Sequence, residues 1–174
     1  MDAPTTAIDS ALLDVDGSCR DMNFDRATWH GVRSLIRQVA ADFEDMRVGS
    51  TSLDSPGVQV ADVNVAVDLV EQNGGFLQIL LNGGTNIVRH LQVFASAVPE
   101  GPPWVELSFF PEDVLPKPSP EGPFIGWADA VSNTLGASRY FVRYENASWT
   151  FGDLTPTAGV FLVRVPATVG ETAG

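Results

Sequence analysis

The segment FLQILLNGGT, residues 76–85, runs a short apolar stretch directly into a glycine- and asparagine-rich turn. A run of that length reads as a buried strand, and Asn-Gly chemistry supplies the positive-φ residues that a hairpin turn requires. The same punctuation recurs along the chain. EQNGG precedes this strand, PEGPP precedes WVELSFF (residues 104–110), and ENA follows RYFVRY (residues 139–144). Connections of two to five residues join antiparallel neighbours, whereas parallel neighbours need a crossover of a dozen or more. An antiparallel sheet is therefore the expected scaffold. Residues 86–97 fit a helix through Ile87, Leu91, Phe94 and Val98, or a strand through Leu91, Val93 and Ala95. The turn before them favours the strand.

Helices are fewer. Trp29, Val32, Ile36, Val39 and Phe43 recur at steps of three and four, with Arg33 and Arg37 on the opposite side. This predicts one long amphipathic helix, capped by Asp25 and running to about Arg47. A second, shorter helix is predicted over residues 124–135, closed by Gly136. Val63, Val65, Val67 and Leu69 alternate and predict a strand. Residues 7–14 and CRDMNF predict two strands joined by the DGS turn, and ASWTF and GVFLVRV two more near the end. Prolines at 111, 116, 118, 120 and 123 exclude a regular element interior and predict an ordered loop. The sum is an α+β fold: a predominantly antiparallel sheet, one long N-terminal helix and a second shorter one. No repeat or change of composition divides the chain, so residues 1–174 are expected to form a single domain with an ordered core over about 7–166.

Charge narrows the partners. Twenty-two acidic residues against ten basic ones give a net charge of −12. Such a surface repels nucleic acid and anionic membranes and favours a basic protein partner. Lys117 is the only lysine beside nine arginines, a bias expected of a GC-rich bacterial gene. Cys19 is the only cysteine, which excludes an intrachain disulfide and a cysteine-based zinc site. His30 and His90 are the only histidines, too few for a His-rich metal site. The opening MDAPTTAIDS has neither the basic segment nor the apolar run of a secretory leader, so a cytoplasmic location is expected. The sequon at Asn146 carries no meaning without such a leader.

The segment SALLDVDGSCRD, residues 10–21, resembles the first motif of the haloacid dehalogenase-type phosphatases. That resemblance implies Asp14 as nucleophile, Asp16 as general acid, Lys117 of KPSPEG as the charge-neutralising lysine and Asp153 of FGD as a magnesium ligand. The companions depart from the pattern. Leu81 stands where the phosphate-binding hydroxyl belongs, no second acid follows Asp153 until Glu171, and the family needs a parallel sheet with helical crossovers. A calcium loop through Asp14, Asp16 and Asp21 has its glycine at the wrong position. The simpler reading is an Asp16-Gly17 turn whose side chain caps its own backbone.

RYFVRYENASW, residues 139–149, concentrates aromatics and arginines. Alternation places Tyr140, Val142 and Tyr144 on one face and Phe141 and Arg143 on the other. Cross-strand aromatic pairing, at roughly 0.2–1 kcal/mol per pair, is one sufficient reason for that pattern. A partner-binding set of Tyr140, Arg143, Tyr144, Glu145 and Trp149 is the other. No Ser or Cys stands in a recognisable motif with His30 or His90, and the glycine-rich turns lack the spacing and lysine of a phosphate loop. Outside the phosphatase alternative, no catalytic residue, metal or cofactor is expected.

Three blocks, LDVDGSCRDMNF, VELSFFPEDV and RYFVRYENASWTFGD, resemble segments of a group of small bacterial α+β proteins, among them cytoplasmic immunity-type proteins encoded beside secreted toxins. The resemblance implies a compact domain that acts by binding a protein. The expected function is thus a non-enzymatic cytoplasmic protein-binding domain that covers a basic partner, with the magnesium-dependent phosphatase as alternative and a homodimeric housekeeping domain as a third possibility.

Overall fold

A computed structural model describes residues 10–53, 60–115, 121–145, 147 and 159–166. Its elements in chain order are β1 (Arg20–Asp25), α1 (Trp29–Val39), β2 (Asp45–Thr51), α2 (Val63–Asn73), β3 (Phe76–Asn82), β4 (His90–Ser96), β5 (Trp104–Phe109), α3 (Glu121–Leu135), β6 (Arg139–Tyr144) and β7 (Val160–Arg164). The strands form one seven-stranded sheet in the order β2-β3-β4-β5-β1-β6-β7. Every neighbouring pair is antiparallel. The fold is α+β, as the turn chemistry requires, and residues 90–96 are the strand that the preceding turn favoured.

Register explains the two faces of the sheet. Leu77, Ala95, Val105, Phe24 and Tyr140 stand opposite one another across five strands, and Ile79, Val93, Leu107, Met22, Val142 and Leu162 form the next row. All are buried, and they share one hydrophobic core with Val32, Leu35, Ile36 and Val39 of α1, Val63, Ala66, Val67 and Val70 of α2, and Phe124, Ala128, Val131 and Leu135 of α3. The helices therefore lie on this face. Residues one step along each strand point the other way.

The helices depart from the sequence expectation in three ways. The apolar stripe of α1 is real, but the helix stops at Val39, and residues 45–51 form edge strand β2 instead of its last turns. Phe43 still packs on the core from the intervening turn, which is why the stripe looked longer than the helix. The cap is Thr28, whose Oγ1 accepts the Gly31 amide at 2.9 Å. Asp25 instead ends β1 and pairs with Arg139 at 3.0 Å. The second helix is not the shorter one: α3 has 15 residues against 11 in α1. It begins before Pro123, which is tolerated because first-turn amides have no intrahelical acceptor. Gly136 ends it at φ 71°, with the Ala137 amide donating back to the Ser132 carbonyl at 2.9 Å.

Residues 63–73 form a helix where alternation predicted a strand. Val63, Ala66, Val67 and Val70 are buried at helical spacing, Val65 is exposed, and Asp62 caps the Val65 amide at 3.0 Å. Valines at every second position mimicked a strand only as far as residue 69. Residues 10–13 are a 3-10 turn, not a strand, so DGS leads into β1 without a hairpin partner. Expectations for Lys117, ASWTF and Asp153 fall outside the described residues. Among the described residues, no helix is long and apolar enough to cross a membrane.

The α1–α3 contact depends on Gly31. A Cβ there would sit 2.3 Å from the Leu135 carbonyl oxygen, which is backbone and cannot yield like a side chain. Gly31→Ala is expected to cost about 1–3 kcal/mol by overpacking, read as a lower urea midpoint at unchanged slope.

Candidate functional site

The DVDGSCRD segment is organised by one buried cation. Arg20 has no solvent exposure, although it is the first residue of a strand next to an exposed turn. Its Nε donates to the Leu12 carbonyl at 3.0 Å, Nη1 to the Ser18 carbonyl at 2.9 Å, and Nη2 to the Asp14 and Ala11 carbonyls at 3.0 and 3.2 Å. Both terminal nitrogens also reach the Asp16 carboxylate, at 3.2 and 3.1 Å. The rings of Tyr144 and Phe161 each lie 4.6 Å from the guanidinium carbon. An arginine buried this way is stable because its donors are used and two aromatic rings pack against its guanidinium.

The same cluster holds Asp16. It accepts from Arg20 through both oxygens, from the Ser18 amide at 2.9 Å and from the Tyr144 hydroxyl at 2.7 Å. The Arg20 and Tyr144 hydrogen bonds hold its carboxyl well below the usual carboxylate range. Its bond from the Ser18 amide makes it a turn cap, as the Asp-Gly reading predicted. Asp14 is exposed, and its backbone carbonyl rather than its carboxylate meets Arg20. The surrounding sheet is antiparallel, which removes the architecture that the phosphatase resemblance implied. Asp21, the third acid of the calcium-loop reading, turns to the Ser108 hydroxyl instead. Among the described residues, no group of three His, Cys, Asp or Glu side chains is placed to hold a metal ion.

The sheet face away from the helices carries a different set. Gln78, Phe94, Glu106 and Asn23 form one cross-strand row; Leu80, Gln92, Ser108, Asp21 and Arg143 form the next. Phe76, Ser96 and Trp104 form a third row toward one end. Phe76 and Trp104, on either side of β4, are 43% and 39% exposed, unusual for large apolar side chains in one cross-strand row. Around the second row lies a cavity of about 250 Å³. Cys19, Asp21, Glu106 and Ser108 line it, Phe94 and Phe110 flank it, and Asp113 and Glu145 add carboxylates at its rim.

Burial shapes the ionisation of these groups. Asp21 is only 3% exposed, and desolvation pushes its carboxyl up despite the Ser108 hydroxyl. Desolvation likewise raises Glu106, against the pull of the Asn23 amide at 2.6 Å and of Arg143 at 3.7 Å. Burial, with the neighbouring Asp21 and Glu145 carboxylates, pushes the Cys19 thiol to about 12. The thiol donates to Glu145 at 3.4 Å.

The expected partner-binding residues divide between the two faces. Tyr140 is fully buried under α3, its hydroxyl bonded to Asp129 at 2.8 Å, and offers no surface. Tyr144 belongs to the Arg20 cluster. Arg143 and Glu145 lie on the helix-free side, Arg143 donating to Asn23 at 3.0 Å and Glu145 exposed at the cavity rim. Trp149 lies outside the described residues. His30 is exposed in the first turn of α1, and His90 pairs with Asp113 at 2.7 Å. Asp21, Phe94, Glu106 and Phe110 were missed. The signal was present for Phe94 and Glu106, since the apolar alternation of β4 and β5 assigns both to the outer face.

Replacing Arg20 by Met strands several carbonyls and is expected to cost about 3 kcal/mol or more, measured by urea unfolding. Asp16→Asn tests the cap through pH. Folding lowers the Asp16 pKa, so its contribution is complete above the ordinary value of 3.8 and is lost as pH falls further. The variant should unfold at lower urea than wild type at pH 7, and the gap should close in acid.

No family model and no curated protein matches the chain. A solved structure matches the fold: a chain of the crystal structure of the toxic C-terminal tip of CdiA from Pseudomonas aeruginosa in complex with immune protein. The match covers 87% of this chain and 98% of that one, with a TM-score of 0.55 and 11% identity. At that identity the likeness is one of fold.

Proposed function

We propose that this chain is a non-enzymatic protein-binding module of the immunity type, which neutralises a basic protein by covering it. The observation that carries the reading is the helix-free face of the sheet. It combines desolvated carboxylates, Asp21 and Glu106, with exposed aromatics, Phe76 and Trp104, on a broad surface. Carboxylates held partly out of water are destabilised until a cation reaches them, and aromatic side chains are the usual anchors of a protein interface. The net charge of −12 steers such a surface toward basic partners.

The fold likeness supports the same reading. The matched crystal contains a toxin tip and its immune protein, and the present chain suits the binding role better than the toxic one. Its most motif-like acid, Asp16, is a structural cap, and its one thiol is held protonated. The acidic face also disfavours a homodimer through that surface, because like carboxylates would meet across the two-fold axis.

Co-expression with the product of the adjacent gene tests the proposal. Growth should be restored and the two chains should co-purify. Absence of a complex together with unrelieved toxicity, or toxicity from this chain expressed alone, would overturn it. Glu106→Gln gives a second test. Folding raises the Glu106 pKa, so a native-state penalty is complete at pH 7 and disappears as pH falls toward the ordinary value of 4.5. The variant should therefore melt higher than wild type at pH 7, lose that advantage in acid, and bind the partner more weakly. Such opposition between stability and binding is characteristic of a functional surface.

A further inference from the structure

We propose that the cavity between β1, β4 and β5 is the docking point for a single arginine side chain of the basic partner, seated between Phe94 and Phe110 against Glu106 and Asp21. This inference rests on the protein-binding reading above and names what the central contact of that surface is.

Three observations converge. First, the site is concave on an otherwise broad sheet face, with a volume of about 250 Å³. That is room for one long side chain and too little for a folded segment. Second, its charge is one-sided. Asp21 and Glu106 line it, and Asp113 and Glu145 stand at the rim. The cations nearby are already engaged: Arg143 reaches Glu106 from β6 and donates to Asn23, and His90 is paired with Asp113. Third, aromatic rings flank the carboxylates. Phe94 and the 38% exposed Phe110 both line the cavity. A planar, weakly hydrated guanidinium satisfies both features at once, donating in its plane and stacking on its faces, whereas a compact ammonium satisfies only the charge. The protein already uses this chemistry internally, where Arg20 packs against the adjoining rings of Tyr144 and Phe161 and donates to Asp16.

The rest of the face indicates that the arginine belongs to a protein rather than to a free metabolite. The Phe76–Ser96–Trp104 row is four residues along the strands from the Gln92–Ser108–Asp21 row. At the strand rise, that is about 13 Å. An exposed aromatic patch at that separation calls for a ligand that presents an apolar group and a cation together, as a folded surface does.

The experiment uses the full-length chain and needs no partner. N-acetyl-arginine amide is titrated into the nitrogen-15-labelled protein at 150 mM salt, with N-acetyl-citrulline amide as the neutral isostere and N-acetyl-lysine amide as the compact cation. The arginine probe should give saturable amide shifts over residues 19–23, 90–94 and 106–110. Citrulline should give none, and lysine should bind at least threefold more weakly. Glu106→Gln and Glu145→Gln should each weaken the arginine probe about fivefold or more. Shifts at these segments that are equal for arginine and citrulline, shifts centred instead on exposed acids such as Asp68 and Glu71, or no saturation would overturn the assignment. Growth rescue by this chain from the adjacent gene product, without arginine binding, would overturn this inference and leave the immunity reading standing. Arginine binding without any rescue would do the reverse.

Discussion

Arg20 is the interaction on which the rest of the structure depends. It sits at the start of the interior strand β1, faces the core side of the sheet and is completely buried. A charge in that position is tolerable only if every donor is used, and the chain wraps around it accordingly. The carbonyls of residues 11, 12, 14 and 18 point inward to the guanidinium, and Asp16 closes the ring from outside. Tyr144 from β6 and Phe161 from β7 pack on each other and against the guanidinium. One side chain thereby fixes the N-terminal segment, orders the Asp-Gly turn and ties it to the far edge of the sheet.

The consequence for function is a division of labour between two faces. The core side is filled by apolar rows and three helices, and its buried charged groups have partners. Tyr140, Asp129 and Arg164 form such a set, with Arg164 reaching both Asp129 oxygens. The opposite side is not matched in this way. Asp21 and Glu106 are desolvated without a full complement of cations, and Phe76, Trp104 and Phe110 remain partly in water. Such a surface costs the free protein stability that a complementary partner can restore. The anchoring of β1 by Arg20 on one face is also what presents Asp21, its neighbour in sequence, on the other.

Several readings of the sequence survive because they rest on local chemistry. The glycine and asparagine turns predicted antiparallel neighbours, and the sheet is antiparallel throughout, although EQNGG joins α2 to β3 and not two strands. The Asp16-Gly17 turn is capped by its own side chain, since the Ser18 amide is within reach of Asp16 whatever surrounds it. Other readings failed where tertiary contacts overruled a local pattern. Valines at 63, 65 and 67 favour a strand, but Ala66 and Val70 give the segment a helical face that the sheet can bury. Phe43 continued the α1 stripe in sequence because it meets the same core from a turn.

What the sequence determined by itself was the antiparallel scaffold, the acidic character and the local turn and capping chemistry, because each depends on neighbours within a few residues or on composition alone. What only the tertiary structure decided was the fate of the charged and aromatic side chains. Arg20 and Arg143 look equivalent on paper, as do Tyr140 and Phe110. One of each is enclosed in the fold and the other faces the open side of the sheet, because strand order brings β5 and β6 to flank β1 from opposite directions. That order depends on contacts between residues more than eighty positions apart, which no local pattern encodes.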